Sequence, residues 1–208
     1  MKRIILAITG ASGSLYAVEF LKLMEKVDVE VDGIISEAGV KVMGLELGLA
    51  AAELPGVNRW FQIKDFTAPM ASGSSLYDGM VVLPCSMGTL AAIANGMSVN
   101  LIHRAADVTL KERRPLVLSV RETPLNRTHL QNMLKIHDSG ASICPAMPSF
   151  YHHPASITEM ARDFAGRIAD QLGIKVPGLK RWGAQKPEDS IQESGVRSQK
   201  AGEKCSKK

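Results

Sequence analysis

The run Ile4-Ile5-Leu6-Ala7-Ile8 has no polar interruption, and Thr9-Gly10-Ala11-Ser12-Gly13-Ser14 follows it at once. A strand with no alternation of apolar and polar residues must be covered on both faces, which requires a largely parallel sheet between two layers of helices. Lys2–Thr9 is therefore read as a first strand. The apolar run is too short for the core of a signal peptide, and the glycine-rich turn closes it.

The rest of the chain repeats strand and helix. Ser14–Val27 carries an apolar helical stripe of Leu15, Val18, Leu21, Leu23 and Met24. Val29–Ile35 reads as a second strand. Ala38–Leu49 reads as a helix with Val42, Leu45 and Leu49 on one face. A short strand is expected near Trp60–Ile63, and residues 68–75 form a small, polar loop. Gly79–Leu83 is the next strand and Met87–Asn95 a helix closed by Gly96. Leu101, Ile102, Ala105, Val108 and Leu110 mark another helix, which Pro115 is expected to stop before the strand Leu116–Val120. Pro124–Ser139 is predicted helical, with Leu130, Met133, Leu134 and His137 as its apolar face. A strand at Ala141–Cys144, a Pro/aromatic loop at Pro145–Pro154 and a helix at Ile157–Leu172 complete the pattern. The fold class is α/β: a Rossmann-like three-layer α/β/α arrangement with a mostly parallel sheet. One domain covers residues 1–183, and the polar, lysine-rich residues 184–208 are expected to be disordered.

With 208 residues and 45% hydrophobic content, the chain can bury a sizeable core. The net charge of +4 is partly in the C-terminal tail, and aromatics make up only 5%. No basic–aromatic pattern suited to nucleic acid appears. No apolar run reaches membrane-spanning length. Cys85, Cys144 and Cys205 are widely spaced without a CxxC pair, which suggests a reducing, cytoplasmic setting and no metal site. Adjacent His152 and His153 point different ways and find no further ligand at suitable spacing.

Several segments carry residues suited to chemistry. Thr9–Ser14 is either an anion-binding turn at a helix N-terminus or an ordinary tight turn with a serine cap. Arg104, Lys111, Arg113, Arg114 and Arg121 are concentrated before and after one strand. Arg121 and Glu122 sit past that strand's carboxyl end, where open α/β sheets bind ligands. Fixed cations there suit a phosphate, and a solvated ion-paired surface is the alternative for Arg113 and Arg114. Glu46, between Leu45 and Leu47, is either at a solvated helix edge or aimed into a pocket as a proton acceptor. Cys85 reads as a small packed residue rather than a nucleophile.

Taken together, TGASG at 9–13, DFTAPMASGSS at 65–75, PCSMGTLAAIANG at 84–96, NLIHRAADVTLKERRPLVLSVRETP at 100–124, HLQNML at 129–134, PAMPSFYHHP at 145–154 and KRWG at 180–183 resemble the flavin prenyltransferase (UbiX-type) family. The resemblance implies an FMN-binding enzyme. Such an enzyme joins a dimethylallyl group from dimethylallyl monophosphate, or the diphosphate, to N5 and C6 of reduced FMN. The prenylated FMN then serves a UbiD-type decarboxylase. It also implies a homo-oligomer, expected to be a dodecamer, with active sites at subunit junctions and no metal.

By the same resemblance, Ser12, Glu46 and Glu122 are the catalytic candidates. Gly10, Ala11, Ser12, Ser36, Ser86, Met87, Thr89, Arg104 and Arg121 are the FMN-contacting positions. Ser72, Gly73, Lys111, Arg121, Tyr151 and Arg167 are the donor-binding ones, and Phe66 is a candidate wall for the prenyl group. The competing readings are an FMN-dependent decarboxylase and an accessory subunit of an aromatic-acid decarboxylase. A decarboxylase of that kind is expected to carry a histidine near 60–75 and a Met-Asn clamp near 145–150, and neither is present.

Overall fold

A computed structural model describes residues 1–181. Trp182, Gly183, Cys205 and the tail expected to be disordered lie outside the described residues. A six-stranded sheet has the order β3-β2-β1-β4-β5-β6. Its strands are β1 (Lys2–Ile8), β2 (Val29–Ile35), β3 (Arg59–Phe61), β4 (Gly79–Cys85), β5 (Leu116–Val120) and β6 (Ser142–Ile143). Every neighbouring pair is parallel, so the expected mostly parallel sheet is parallel throughout.

Among the described residues six α-helices cover it: α1 (Ser14–Met24), α2 (Glu37–Leu47), α3 (Met87–Ala94), α4 (Leu101–Lys111), α5 (Arg127–Asp138) and α6 (Ile157–Gln171). Ile4, Leu6 and Ile8 face one core with Phe20, Met43, Phe164 and Ile168. Ile5 and Ala7 face the other, with Leu90, Ile102, Ala105 and Ile136. That explains the uninterrupted apolar run: successive side chains of β1 alternate between two dry layers. Among the described residues no helix is long and apolar enough to cross a membrane.

Several element ends differ from the sequence expectation: α1 stops at Met24 rather than Val27, α2 spans Glu37–Leu47 and β6 only Ser142–Ile143. The helix expected to run to Pro115 ends at Lys111, because Arg113 turns left-handed at φ 55. Arg113 N–H donates to Leu110 O and Arg114 N–H to Thr109 O, the paired bonds of a Schellman stop. Proline disfavours a helical residue before it, so the turn is made upstream. The Pro124–Ser139 helix begins only at Arg127, where the Asn126 side chain accepts from His129 N at 2.8 Å. β4 continues past Leu83 to Cys85, with its pairing to β5 irregular between Val82 and Cys85.

Two expected apolar faces enter the core only in part, through Met133 on one and Leu49 on the other. On α5, Leu130 is 53% and Leu134 61% exposed, His137 is exposed, and Ile136 is the buried residue. On α2, Leu45 is 87% exposed while Gly39 and Met43 are buried. Helical spacing identifies residues that share a face, but not what covers that face.

At the amino edge of the sheet, Asp32 is fully buried on β2. Its Oδ2 accepts from Arg3 Nη2 at 2.6 Å and Tyr77 Oη at 2.6 Å, and its Oδ1 from Asn58 Nδ2 at 3.2 Å. Arg3 also stacks over the Tyr77 ring at 4.5 Å. Removing the anion strands three donors. Asp32→Ala is expected to cost roughly 3 kcal/mol, read as a lowered urea midpoint. A midpoint unchanged from the parent would show that Arg3 and Tyr77 find water instead.

Candidate active site

The strand order reverses between β1 and β4: the chain leaves β1 for β2 on one side and β4 for β5 on the other. The crevice at such a switch point, beyond the carboxyl ends, is where open α/β sheets take ligands. Here the two turns that border it are joined. Thr9 Oγ1 donates to Pro84 O at 2.8 Å and accepts from Ser86 N at 2.8 Å, and Thr9 N donates to Pro84 O at 3.2 Å. On the other side, Ser36 N donates to Ile8 O at 2.9 Å. Arg121 N donates to Cys85 O at 3.2 Å. Gly10–Ser14, Ser36, Ser86–Thr89 and Arg121 thus share one edge.

The two helix N-termini in this crevice are satisfied differently. Gly13 stands before α1 with φ 113, a conformation that disfavours side chains. No side chain of that turn caps the helix. Instead Glu46 reaches over from α2. Its carboxylate accepts from Gly13 N at 3.0 Å and Ser14 N at 2.8 Å. Burial pushes the Glu46 carboxyl up, but the Ser12 hydroxyl and the Ser14 and Gly13 N–H groups outweigh it and leave it below the usual range. The α1 turn is therefore an anion site whose anion is Glu46 itself. α3 is capped locally, with Ser86 Oγ accepting from Thr89 N at 3.4 Å, and Gly88 faces open space. Its other early N–H groups have no intrahelical partner.

Beyond Arg121 the edge continues. A cavity of about 350 Å³ is lined by Met87, Arg121, Glu122, Met133 and Met147, among others. A second, of about 390 Å³, is lined by Tyr151, Arg167, Asp170, Lys180 and Arg181, among others. The Arg121 charge opposes the upward push that burial gives Tyr16, so Arg121 lies toward α1. The Arg167 charge acts likewise on Cys144, just past β6. Tyr16 in turn packs on Phe164 at 4.9 Å between ring centroids. Cys85 is buried and its thiol is pushed up to about 12, as a packed residue requires.

Four predicted site residues lie elsewhere within the chain. Gly73 packs against Lys111 and Glu112, which pair with each other. Arg114 donates to Ser75 O at 2.8 Å and Gly73 O at 2.9 Å, holding the 72–75 loop beside the start of β5. Ser72 Oγ bonds Ser74 Oγ at 2.9 Å in the same loop. Lys111 precedes β5, with Gly73 packed against it, and Arg121 follows it, so they lie at opposite ends of a strand roughly 17 Å long. Arg104 is also engaged outside the crevice: it donates to Ala71 O at 3.0 Å and pairs with Asp107 at 2.9 Å. Phe66 is exposed beyond β3. Sequence reasoning missed Thr9, Tyr16 and Asp170. Asp170 had one local signal, its position three residues after Arg167 on a helix.

The Flavoprotein family model matches residues 1–166. The flavin prenyltransferase UbiX of Methanothermobacter thermautotrophicus is 47% identical over 183 residues, 88% of this chain and 96% of that protein. The chain belongs to the flavin prenyltransferase family. Among solved structures, AnUbiX (PadA1) in complex with FMN and dimethylallyl pyrophosphate superposes with a TM-score of 0.86 at 38% identity, covering 89% of this chain and 99% of that one. A dodecameric FMN-dependent UbiX-like decarboxylase from Escherichia coli O157:H7 follows at 0.83 and 38%, covering 86% and 98%.

The residues present fit the flavin that this flavin prenyltransferase fold implies. Gly10 lies so close to α2 that a Cβ there would sit 2.5 Å from Ala38 Cβ, leaving backbone alone at the crevice floor. The open N-terminus of α3 offers N–H groups to a phosphate.

The ionised Glu46 cap predicts a pH effect. Its folded pKa lies below the ordinary 4.5. The stability it contributes is therefore complete above about pH 4.5 and is lost as pH falls through the lower folded value. Glu46→Gln is expected to flatten that part of the acid-unfolding curve, followed by circular dichroism. An unchanged slope would remove Glu46 as the cap of α1.

Proposed function

We propose that the chain transfers the dimethylallyl group of dimethylallyl monophosphate, or the diphosphate, to N5 and C6 of reduced FMN, making prenylated FMN for a UbiD-type decarboxylase. The observation that supports this is an exposed cation in each of two cavities past the carboxyl ends of the strands: Arg121 in the methionine-lined one and Arg167, with Tyr151, in the other. Reduced FMN supplies the nucleophilic atoms and an aromatic face that stabilises an allyl cation.

The chain's residues have separable tasks. Gly10, Ala11, Ser12, Ser36, Ser86, Met87 and Thr89 hold FMN at the crevice. Arg121, Arg167 and the Tyr151 hydroxyl bind the donor's phosphate and stabilise the negative charge that grows as its C–O bond breaks. Glu122 lines the same cavity as Arg121. Glu46, ionised and joined to Ser12, accepts the proton released when the new ring closes. The methionine-lined cavity beside Arg121 excludes water from the cation.

Lys111, Ser72, Gly73 and Arg104 enter this site only from a second copy of the chain. A homo-oligomer, proposed to be a dodecamer, would bring one subunit's amino-edge loop to another's carboxyl edge. It would also cover Leu45, Leu130 and Leu134. We place the enzyme in the cytoplasm, in keeping with the free Cys85 and Cys144.

Two experiments test the reading. Anaerobic incubation with reduced FMN and dimethylallyl monophosphate, and separately the diphosphate, is expected to add one dimethylallyl unit to the extracted flavin by mass. Unchanged FMN with both donors would favour a decarboxylase or accessory subunit. For the shared site, Lys111→Ala and Arg121→Ala are each expected to abolish turnover, and mixed assemblies of the two to regain it. Mixed assemblies that stay inactive would confine the site to one chain.

A further inference from the structure

Arg167 projects from α6 with a side chain 61% exposed. An arginine in that position samples many rotamers, and binding a phosphate through it costs that freedom. The structure restricts it beforehand. Arg167 Nη1 donates to Asp170 Oδ2 at 3.0 Å, one turn further along the helix. The same carboxylate is gripped from the other side by Arg181, whose Nη1 reaches Oδ2 and whose Nη2 reaches Oδ1, both at 2.8 Å. Asp170 is only 17% exposed. Burial pushes its carboxyl up, but Arg181 and Arg167 outweigh burial and hold it below the usual range.

Arg181 arrives there because residues 172–181 return along α6. Leu179 lies against Gly166, where a Cβ would come within 2.6 Å of Leu179 Cδ1. Lys180 donates to Glu159 Oε1 at 2.8 Å and to His152 O at 3.4 Å, tying the returning segment to the Tyr151 loop. Tyr151, Arg167, Asp170, Lys180 and Arg181 thereby line one cavity.

We infer that Asp170 is a positioning residue for donor binding: it orders Arg167 for the donor's phosphate and, through Arg181, makes the returning segment part of the donor site. This rests on the reading of Arg167 as a donor ligand. A pair held only for surface stability would contribute little, because exposed ion pairs do. A guanidinium fixed along one edge keeps its other N–H groups aimed, so loss of the carboxylate appears in donor affinity.

The test is calorimetric titration of dimethylallyl monophosphate into the assembled, full-length, FMN-loaded protein with the flavin oxidised, so that no turnover intervenes. Asp170→Asn is expected to weaken the donor about tenfold, with flavin affinity and melting temperature unchanged. Arg181→Lys, which keeps the charge but loses the fork, is expected to fall between. Donor affinity within about twofold of the parent, in either variant, overturns the inference. So does a parallel loss of flavin affinity. Should Asp170→Asn fail to assemble, Arg181→Lys decides alone. A parent that binds the donor but forms no prenylated flavin on reduction would remove the prenyltransferase reading and leave the inference standing. A parent that does not bind the donor would overturn the inference itself.

Discussion

The arrangement of the carboxyl edge depends on Thr9. Its side chain and backbone together hold the Pro84 carbonyl, and its oxygen takes the Ser86 N–H, so the two turns flanking the switch point are bonded to each other. β1 and β4 are neighbours in the sheet but distant in sequence. Their ends would otherwise diverge with sheet twist. With the turns joined, the α1 and α3 N-termini open on one crevice, and Arg121, bonded to Cys85, is carried to its rim.

Charge is then distributed with economy. The positive end of α1 is matched by Glu46, which leaves that of α3 as the opening for an incoming phosphate. Along the edge, Arg121 and Arg167 are exposed and Tyr151 lies between them in chain order. Arg104 and Arg114 instead hold carbonyls of the 71–75 loop, and Lys111 pairs with Glu112 at the end of α4. The same basic stretch of sequence thus serves two places. Pro115 and β5 separate them by the length of a strand.

The fold was legible because its signals are local. An unbroken apolar run predicts a two-sided strand, and Gly or Asn at the ends of helices marks their stops and starts. The site's candidate residues came from motif resemblance, and the fold brings Ser12, Glu46, Ser36, Ser86 and Arg121 to one edge. What the sequence could not express was which end of the strands each residue reaches. Lys111 and Arg121 are close in sequence and far apart in space, whereas Thr9 and Ser86 are the reverse. Nor could helical periodicity tell that Leu45 and Leu130 face outward, since a stripe that meets another subunit has the same spacing as one that meets a core. For Asp170 the sequence shows the pairing with Arg167 three residues before it but not the one with Arg181, which forms only when the chain folds back along α6.

Asp32 has a consequence for how the sheet assembles. Its carboxylate is read by Arg3 from β1, Asn58 from just before β3 and Tyr77 from just before β4. Sliding β2 by one residue would turn Asp32 to the opposite face and put Val31 or Gly33 in its place. All three donors would then lose their acceptor together, while the carboxylate entered an apolar layer. The cluster therefore penalises a slipped pairing far more than it strengthens the correct one. It acts as a check on alignment at one end of the strands, and the turns at the other end inherit the result.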